Sequence, residues 1–394
     1  MALLNIHRKG DDIMKNSPNF FILLFCLFAI VLHHNLQAQW VNTSNFPSFG
    51  GGVLSLAVSG NNIFAGTFNA GVFRTSDEGE NWTEVNSGIT DNEIWSLAVN
   101  SSNIFAGTEN GVFLTTDNGS NWSEASSGLT DGTVYSFAFS GSNLFAGTDD
   151  GVFLSTNNGI SWTEMSTGLP GGWIRALTFS GSNLFASAGF GVYLSTNNGS
   201  NWTAASSGLP NNRTIYSLAV AGTFLFAGTS GAGVYISTNN GTNWTAANSG
   251  LENDDVWALA VSGTSVFTGT ENNGVFLTVN NGSNWMNTEY GLGSAWALAL
   301  TETDIFAAGG LSRVAKRPLS ELITDVEDEQ GIIPTVYRLN QNYPNPFNPS
   351  TVINYQIPEE GFVTLKIYDI LGKDVKTLVN EQKSVGSYNI KFDA

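Results

Sequence analysis

From Val53 onward the chain alternates short apolar runs with small polar turn residues. One stretch reads Val134–Phe139, Asn143–Thr148, Gly151–Ser155, then Ser-Thr-Asn-Asn-Gly-Ile-Ser-Trp over 155–162, then Thr163–Met165. Each run is rich in β-branched and aromatic residues and is bounded by Gly, Asn and Ser. This predicts four antiparallel strands joined by tight turns. The eight-residue stretch recurs, ending at Trp82, Trp122, Trp162, Trp202, Trp244 and Trp285, 40 to 42 residues apart. Four strands repeated at that period predict the blades of a propeller.

The inner-strand run occurs seven times, beginning at Val53, Ile94, Val134, Ile174, Ile215, Val256 and Ala295, but only six of the eight-residue turns exist. The seventh unit has no turn and no outer strand. The missing strand is found at the other end, where Trp40–Thr43 precedes Trp82 by one period. The expected fold is therefore all-β: a seven-bladed propeller over residues 40–318, closed by an N-terminal strand. Closure removes two open sheet edges.

Within each turn, Asn157 or its equivalent is suited to accept backbone N–H bonds, and Gly159 to adopt a positive φ. The equivalent pairs are Asp77 and Gly79, Asp117 and Gly119, Asn197 and Gly199, Asn239 and Gly241, and Asn280 and Gly282. The pattern resembles the Asp-box of neuraminidase-like (BNR) repeats, with Asn in four copies where that family has Asp. The resemblance implies that these residues and the closing tryptophans are structural, away from any active face. The repeats also resemble sortilin-like propellers and those of the photosystem II assembly factor type, which implies a binding scaffold.

Residues 1–38 read as a signal peptide. Phe20–Leu32 is apolar but short for a membrane span, Ala38 suits cleavage, and a start at Met14 gives a more ordinary signal. No membrane span is expected after cleavage. Residues 319–336 form an acidic linker. Residues 337–394 alternate in short runs, predicting a small Ig-like β-sandwich. Their Asn-Tyr-Pro-Asn-Pro-Phe-Asn-Pro-Ser-Thr stretch (342–351) and Ile367–Gly372 resemble the type A C-terminal sorting domain of the type IX secretion system. That resemblance implies export to the cell surface or medium, with the secretion machinery as a partner. Sorting domains of this type usually run on through another hairpin into a basic tail, so this one is expected to be truncated.

The formal net charge is -18, with no lysine between Trp40 and Ala315. Nucleic acid is thereby a poor partner. The only cysteine, Cys26, and all three histidines precede Trp40. The mature chain then has neither Ser-His nor Cys-His nucleophiles, nor the usual zinc ligands. A sialidase-like glycoside hydrolase or lyase is the competing class, but the propeller holds five arginines with no early arginine motif. No catalytic residue, cofactor or metal ligand is assigned.

The second position of each inner strand is Leu54, Trp95, Tyr135, Arg175, Tyr216, Trp257 and Trp296, and the expected ligand platform is the five aromatics and the arginine: Trp95, Tyr135, Arg175, Tyr216, Trp257 and Trp296. Beside it, one face should carry Asp91, Glu93, Glu109, Asp131, Asp149, Asp150, Glu252, Asp254, Asp255 and Glu271. Such a face attracts cations, but no loop has the dense Asp spacing of a calcium site, so calcium binding should be weak. The alternative for the rings is packing between blades, and for the carboxylates plain solvation. The function expected is a monomeric, non-catalytic binding or adhesion scaffold for a glycan or protein ligand.

Overall fold

The structure is a computed structural model. It describes residues 2–7, 39–48, 51–130, 132–288, 293–310, 313–323, 338–339, 350–358, 360–368 and 374–393. The chain divides into two compact units, Asn35–Ile323 and a second that joins Met1–His34 to Thr324–Ala394.

The larger unit contains seven four-stranded antiparallel sheets, the blades of a propeller. Blade 3 runs Val134–Ser140, Asn143–Thr148, Val152–Ser155 and Thr163–Glu164, in spatial order. Blades 1, 2, 5 and 6 repeat this plan. In blade 7, Ala297–Leu300, Asp304–Gly309 and Arg313–Pro318 are followed in space by Val41–Asn42, paired to Lys316 and Ala315. Thr43 N also donates to Val314 O at 2.9 Å.

The inner strands of blades 4 and 7 start later than the sequence predicts, at Leu177 and Ala297. Blade 4 has Ser187 where most blades have glycine. Its hydroxyl accepts from Ala176 N at 2.9 Å, so a side chain replaces a ladder bond. Elsewhere glycine is required: a β-carbon on Gly147 would lie 2.5 Å from Ser136 Oγ and 2.6 Å from Ile174 O of the next blade.

Each blade interface is a mixed apolar layer. Val134, Leu144, Ala146, Phe153 and Trp162 of blade 3 cluster with Phe105, Val112 and Ala125 of blade 2, all buried. Apolar burial of this kind is the main force holding blade to blade.

The second unit has two three-stranded sheets. One holds Arg338–Leu339, Ser350–Ile357 and Gly386–Asp393. The other holds Gly361–Tyr368 and Asp374–Lys383 with Ala2–His7 on its edge. Ile353, Tyr355 and Ile357 of the first sheet cluster with Val363, Leu365 and Val379 of the second. The strand Ala2–His7, in register with Phe362–Ile367, falls within the stretch read as a signal peptide. The rest of that stretch, the acidic linker from 324 on, the Pro/Asn-rich run up to 349 and the 369–373 turn lie outside the described residues.

Candidate functional site

The platform positions come together. Leu54, Trp95, Tyr135, Arg175, Tyr216, Trp257 and Trp296 all line one cavity of about 280 Å³ in the central channel. The inner strands explain why. In five blades the register shifts at the platform residue, between Val53 and Ser55, Ile94 and Ser96, Val134 and Ser136, Ile215 and Ser217, and Val256 and Ala258. A bulged residue leaves the ladder and its side chain is re-aimed.

The side chains also pack on one another around the ring. Tyr216 and Trp257 stack at 4.3 Å and 8°, and Trp257 meets Trp296 at 5.8 Å. Trp95 contacts Tyr135 edge-on at 5.4 Å. The Arg175 guanidinium bridges the two groups, 4.8 Å from the Tyr135 ring centre and 5.6 Å from that of Tyr216. The platform and inter-blade packing are thus the same set of contacts, and all six of these aromatic and arginine residues are half-buried.

Several of the carboxylates are tied into loops rather than simply solvated. Asp91 accepts from Glu93 N and from Asn110 N and Nδ2. Asp149 accepts from Thr133 N at 3.0 Å and from the Tyr135 hydroxyl at 2.8 Å. Burial and that bond push the Tyr135 phenol above its ordinary pKa. Glu271 accepts from Trp296 Nε1 at 2.7 Å. Burial, then the like charge of Glu109, raise the Glu93 carboxyl, against the opposing pull of the Trp95 N–H. Asp131 lies outside the described residues. Among the described residues, no group of three or more His, Cys, Asp or Glu side chains is placed to hold a metal ion.

Four buried polar atoms at this cavity have no hydrogen-bond partner among the described residues: Trp95 Nε1, Arg175 Nε, Ser217 Oγ and Trp257 Nε1. Trp95 Nε1 lies near Glu93 but outside hydrogen-bond geometry. Buried groups are ordinarily paired, so four exceptions at one place are informative.

Sequence reasoning missed the exposed rings on this face. Phe68, Trp173 and Phe190 are 42, 54 and 58 % exposed. They sit in the loops above the platform. Trp173 lies 5.0 Å from the Arg175 guanidinium, and Phe68 meets Trp95 edge-on at 6.3 Å. The signal was there: Pro170-Gly-Gly-Trp173 and Gly189-Phe190 replace the polar loops of other blades.

The eight-residue turns have the chemistry foreseen and one role that was not. Asn157 Oδ1 accepts from Ser161 N at 3.0 Å, and Gly159 has φ +80°. The residue before that glycine is also left-handed, from Glu78 to Asn281, at φ 53–57°. Asp77 and Asp117 are each held at a pKa of about 2, first by the Asn81 and Asn121 side chains and then by their backbone N–H groups. Beyond this, each closing tryptophan reaches the preceding blade. Trp162 Nε1 donates to Ala125 O at 2.8 Å, and Trp122, Trp202, Trp244 and Trp285 do the same to Val85, Met165, Ala205 and Ala247. Trp82 donates to the Thr43 hydroxyl on the N-terminal strand. Trp40, one period earlier, donates to Thr288 of blade 6.

Solved structures with the same architecture confirm the fold alone, since all are distant in sequence. A structure titled YCF48 bound to D1 peptide is 15% identical with a TM-score of 0.57, covering 72% of this chain and 98% of that one. The extracellular domain of BT4673 from B. thetaiotaomicron is 14% identical with a TM-score of 0.60, covering 87% and 48%. The GH74 xyloglucanase from Xanthomonas campestris is 16% identical with a TM-score of 0.56, covering 72% and 54%. No curated protein matches the chain. The DUF6242 beta propeller domain matches residues 89–212 and again 174–296, together more than half of the chain, which therefore belongs to the DUF6242 beta propeller family.

Proposed function

We propose that this chain is a secreted or cell-surface propeller that binds a glycan or protein ligand at its channel mouth without catalysing a reaction. One observation carries the reading: seven blades built on one plan place different aromatic side chains and a single arginine around one cavity. Aromatic rings and arginine are the residues that dominate binding sites. The extracellular setting of the BT4673 domain supports a location outside the cell. Export would follow from the N-terminal signal and from residues 337–394 as a type IX sorting domain. The strand at 40–43 would act as the clasp that keeps the ring shut. Several of the carboxylates on this face serve loop hydrogen bonds, which favours a binding role over glycoside hydrolysis.

The test is an array of glycans and peptides probed with the full chain and with the Trp95→Ala/Trp257→Ala double variant. Binding that falls at least tenfold with the circular dichroism spectrum unchanged supports the reading. Turnover of a glycan, lost on replacing one carboxylate, would replace it with the hydrolase. Deleting 337–394 in a bacterium with type IX secretion should leave the propeller inside the cell; unchanged export would refute the sorting role.

A further inference from the structure

The acidic mouth has a gap. Between Glu164 and Glu252 the sequence has no carboxylate, and its only charged residues are Arg175 and Arg213. This stretch supplies the mouth loops of blades 4 and 5. Here the exposed Trp173 and Phe190 lie on loops that touch: a β-carbon on Gly172 would sit 4.0 Å from Gly189 N. Arg175 lies beneath, held by three ring faces, with no hydrogen bond or ion pair to any described residue. The orphaned groups at the cavity are three N–H donors and the Ser217 hydroxyl, which can donate or accept.

We propose that this sector binds a uronic acid residue of an acidic glycan, its carboxylate on the Arg175 guanidinium and its pyranose ring on the open face of Trp173. The inference rests on the binding-scaffold reading and names its ligand class. The chemistry selects among alternatives. A cationic ligand meets an uncompensated arginine. An apolar ligand covers the half-buried Arg175 guanidinium without offering it an acceptor, which costs free energy. A neutral sugar leaves the charge unpaired. A peptide chain end brings a carboxylate but no pyranose ring face to lie on Trp173. A uronate brings a carboxylate, ring and hydroxyl oxygens and an apolar ring face together. Asp149 shares the Tyr135 side chain with Arg175, but its oxygens already accept from Thr133 N and the Tyr135 hydroxyl; the more distant carboxylates are screened by salt, which near 0.15 M acts beyond about 8 Å.

The experiment is calorimetric titration of the full chain with oligogalacturonate and oligoglucuronate. The comparison ligands are cellohexaose and a peptide with a free or amidated C-terminus. The expected result is a uronate at least tenfold tighter than cellohexaose, weakened at least tenfold by Arg175→Gln and by Trp173→Ala. Both variants should keep the parent circular dichroism spectrum at the titration temperature, and Arg175→Lys should recover part of the affinity. Equal binding of neutral and acidic sugars, or uronate binding unchanged in Arg175→Gln, overturns the proposal. Peptide binding without uronate binding also overturns it while leaving the scaffold reading intact. Silence here together with silence on the broad arrays removes both.

Discussion

Replacing Trp162 with phenylalanine tests whether the closing tryptophans are clasps between blades or merely lids on their own turns. The side chain is 5 % exposed. Its Nε1 donates at 2.8 Å to the carbonyl of Ala125, a buried residue in blade 2. Phenylalanine keeps an aromatic ring over Gly159 but removes the donor. A buried acceptor left alone costs about 1–3 kcal/mol. The smaller ring adds a cavity term of about 1 kcal/mol. The expected loss is about 2–4 kcal/mol, a large part of the roughly 5–15 kcal/mol by which proteins are stable. Urea unfolding followed by far-ultraviolet circular dichroism measures it without relying on tryptophan emission. Trp173→Phe is the control, because Trp173 is 54 % exposed and its N–H makes no bond to a described residue. It should stay within about 0.5 kcal/mol of the parent. Trp82→Phe should fall between the two. Its acceptor at 3.2 Å is the Thr43 hydroxyl, which keeps its own bond to Val314 O. If Trp162→Phe costs no more than Trp173→Phe, the clasp argument is wrong.

Three further outcomes follow from the same contacts. Gly128→Ala should destabilise by more than about 2 kcal/mol in the same assay, since φ is +88° and a β-carbon would lie 2.4 Å from Trp162 O. Trp40→Ala should lower the unfolding midpoint, by loss of the indole bonds to Thr288 that tie the N-terminal strand to blade 6; an unchanged midpoint would show the strand is dispensable. Asp77 and Asp117 have folded pKa values of about 2, below the ordinary carboxylate value. Their stabilisation is present above about pH 4 and is lost as pH falls toward 2. An Asp77→Asn/Asp117→Asn variant should therefore show a flatter fall in melting temperature between pH 4 and 2, and an identical slope would refute this assignment.

The blades were legible because their period is long and their turns are written in residues with a single physical purpose. Gly159 and its equivalents need positive φ, and the alternating runs on either side have a clear burial side. The platform was legible for a different reason. The second inner-strand position varies among Trp, Tyr, Arg and Leu while its neighbours Val134 and Ser136 hardly change from blade to blade. The contacts between blades were not legible. Trp162 and Ala125 lie 37 residues apart, and nothing local at Ala125 marks its carbonyl as an acceptor. The Ser-Gly-Leu run at 127–129 did recur with the period, yet its purpose appears only in space. Ser127 O accepts from Trp162 N, and Gly128 has no room for a side chain against that backbone. The bulges were hidden too, since a single extra residue in a seven-residue strand leaves the hydrophobic alternation almost intact.

Those bulges bear on how such a fold acquires specificity. Tyr135 falls where the ladder skips between Val134 and Ser136, so its side chain is not committed to either face of the blade. The partner strand constrains the next position instead: Gly147 faces Ser136 with no room for a β-carbon. The strand pairing therefore restricts 136 and 147, while 135 is restricted by its ring neighbours instead. The same division holds at Trp95 beside Ser96 and Gly107, whereas Gly269 is closed off by Ala295 of the next blade. A propeller built this way can vary the channel-facing residue of its five bulged blades with little change in the strands that carry it. Blade 4 goes furthest. It gives up the glycine for Ser187 and replaces an aromatic ring by Arg175. It also strips the acids from its mouth loops and exposes Trp173 and Phe190. Ser187 and Arg175 have structural work in this blade, on the Ala176 N–H and on the Tyr135 and Tyr216 rings; the exposure of Trp173 and Phe190 has none in the repeat. A ligand of the class proposed above would account for the exposed rings of this blade.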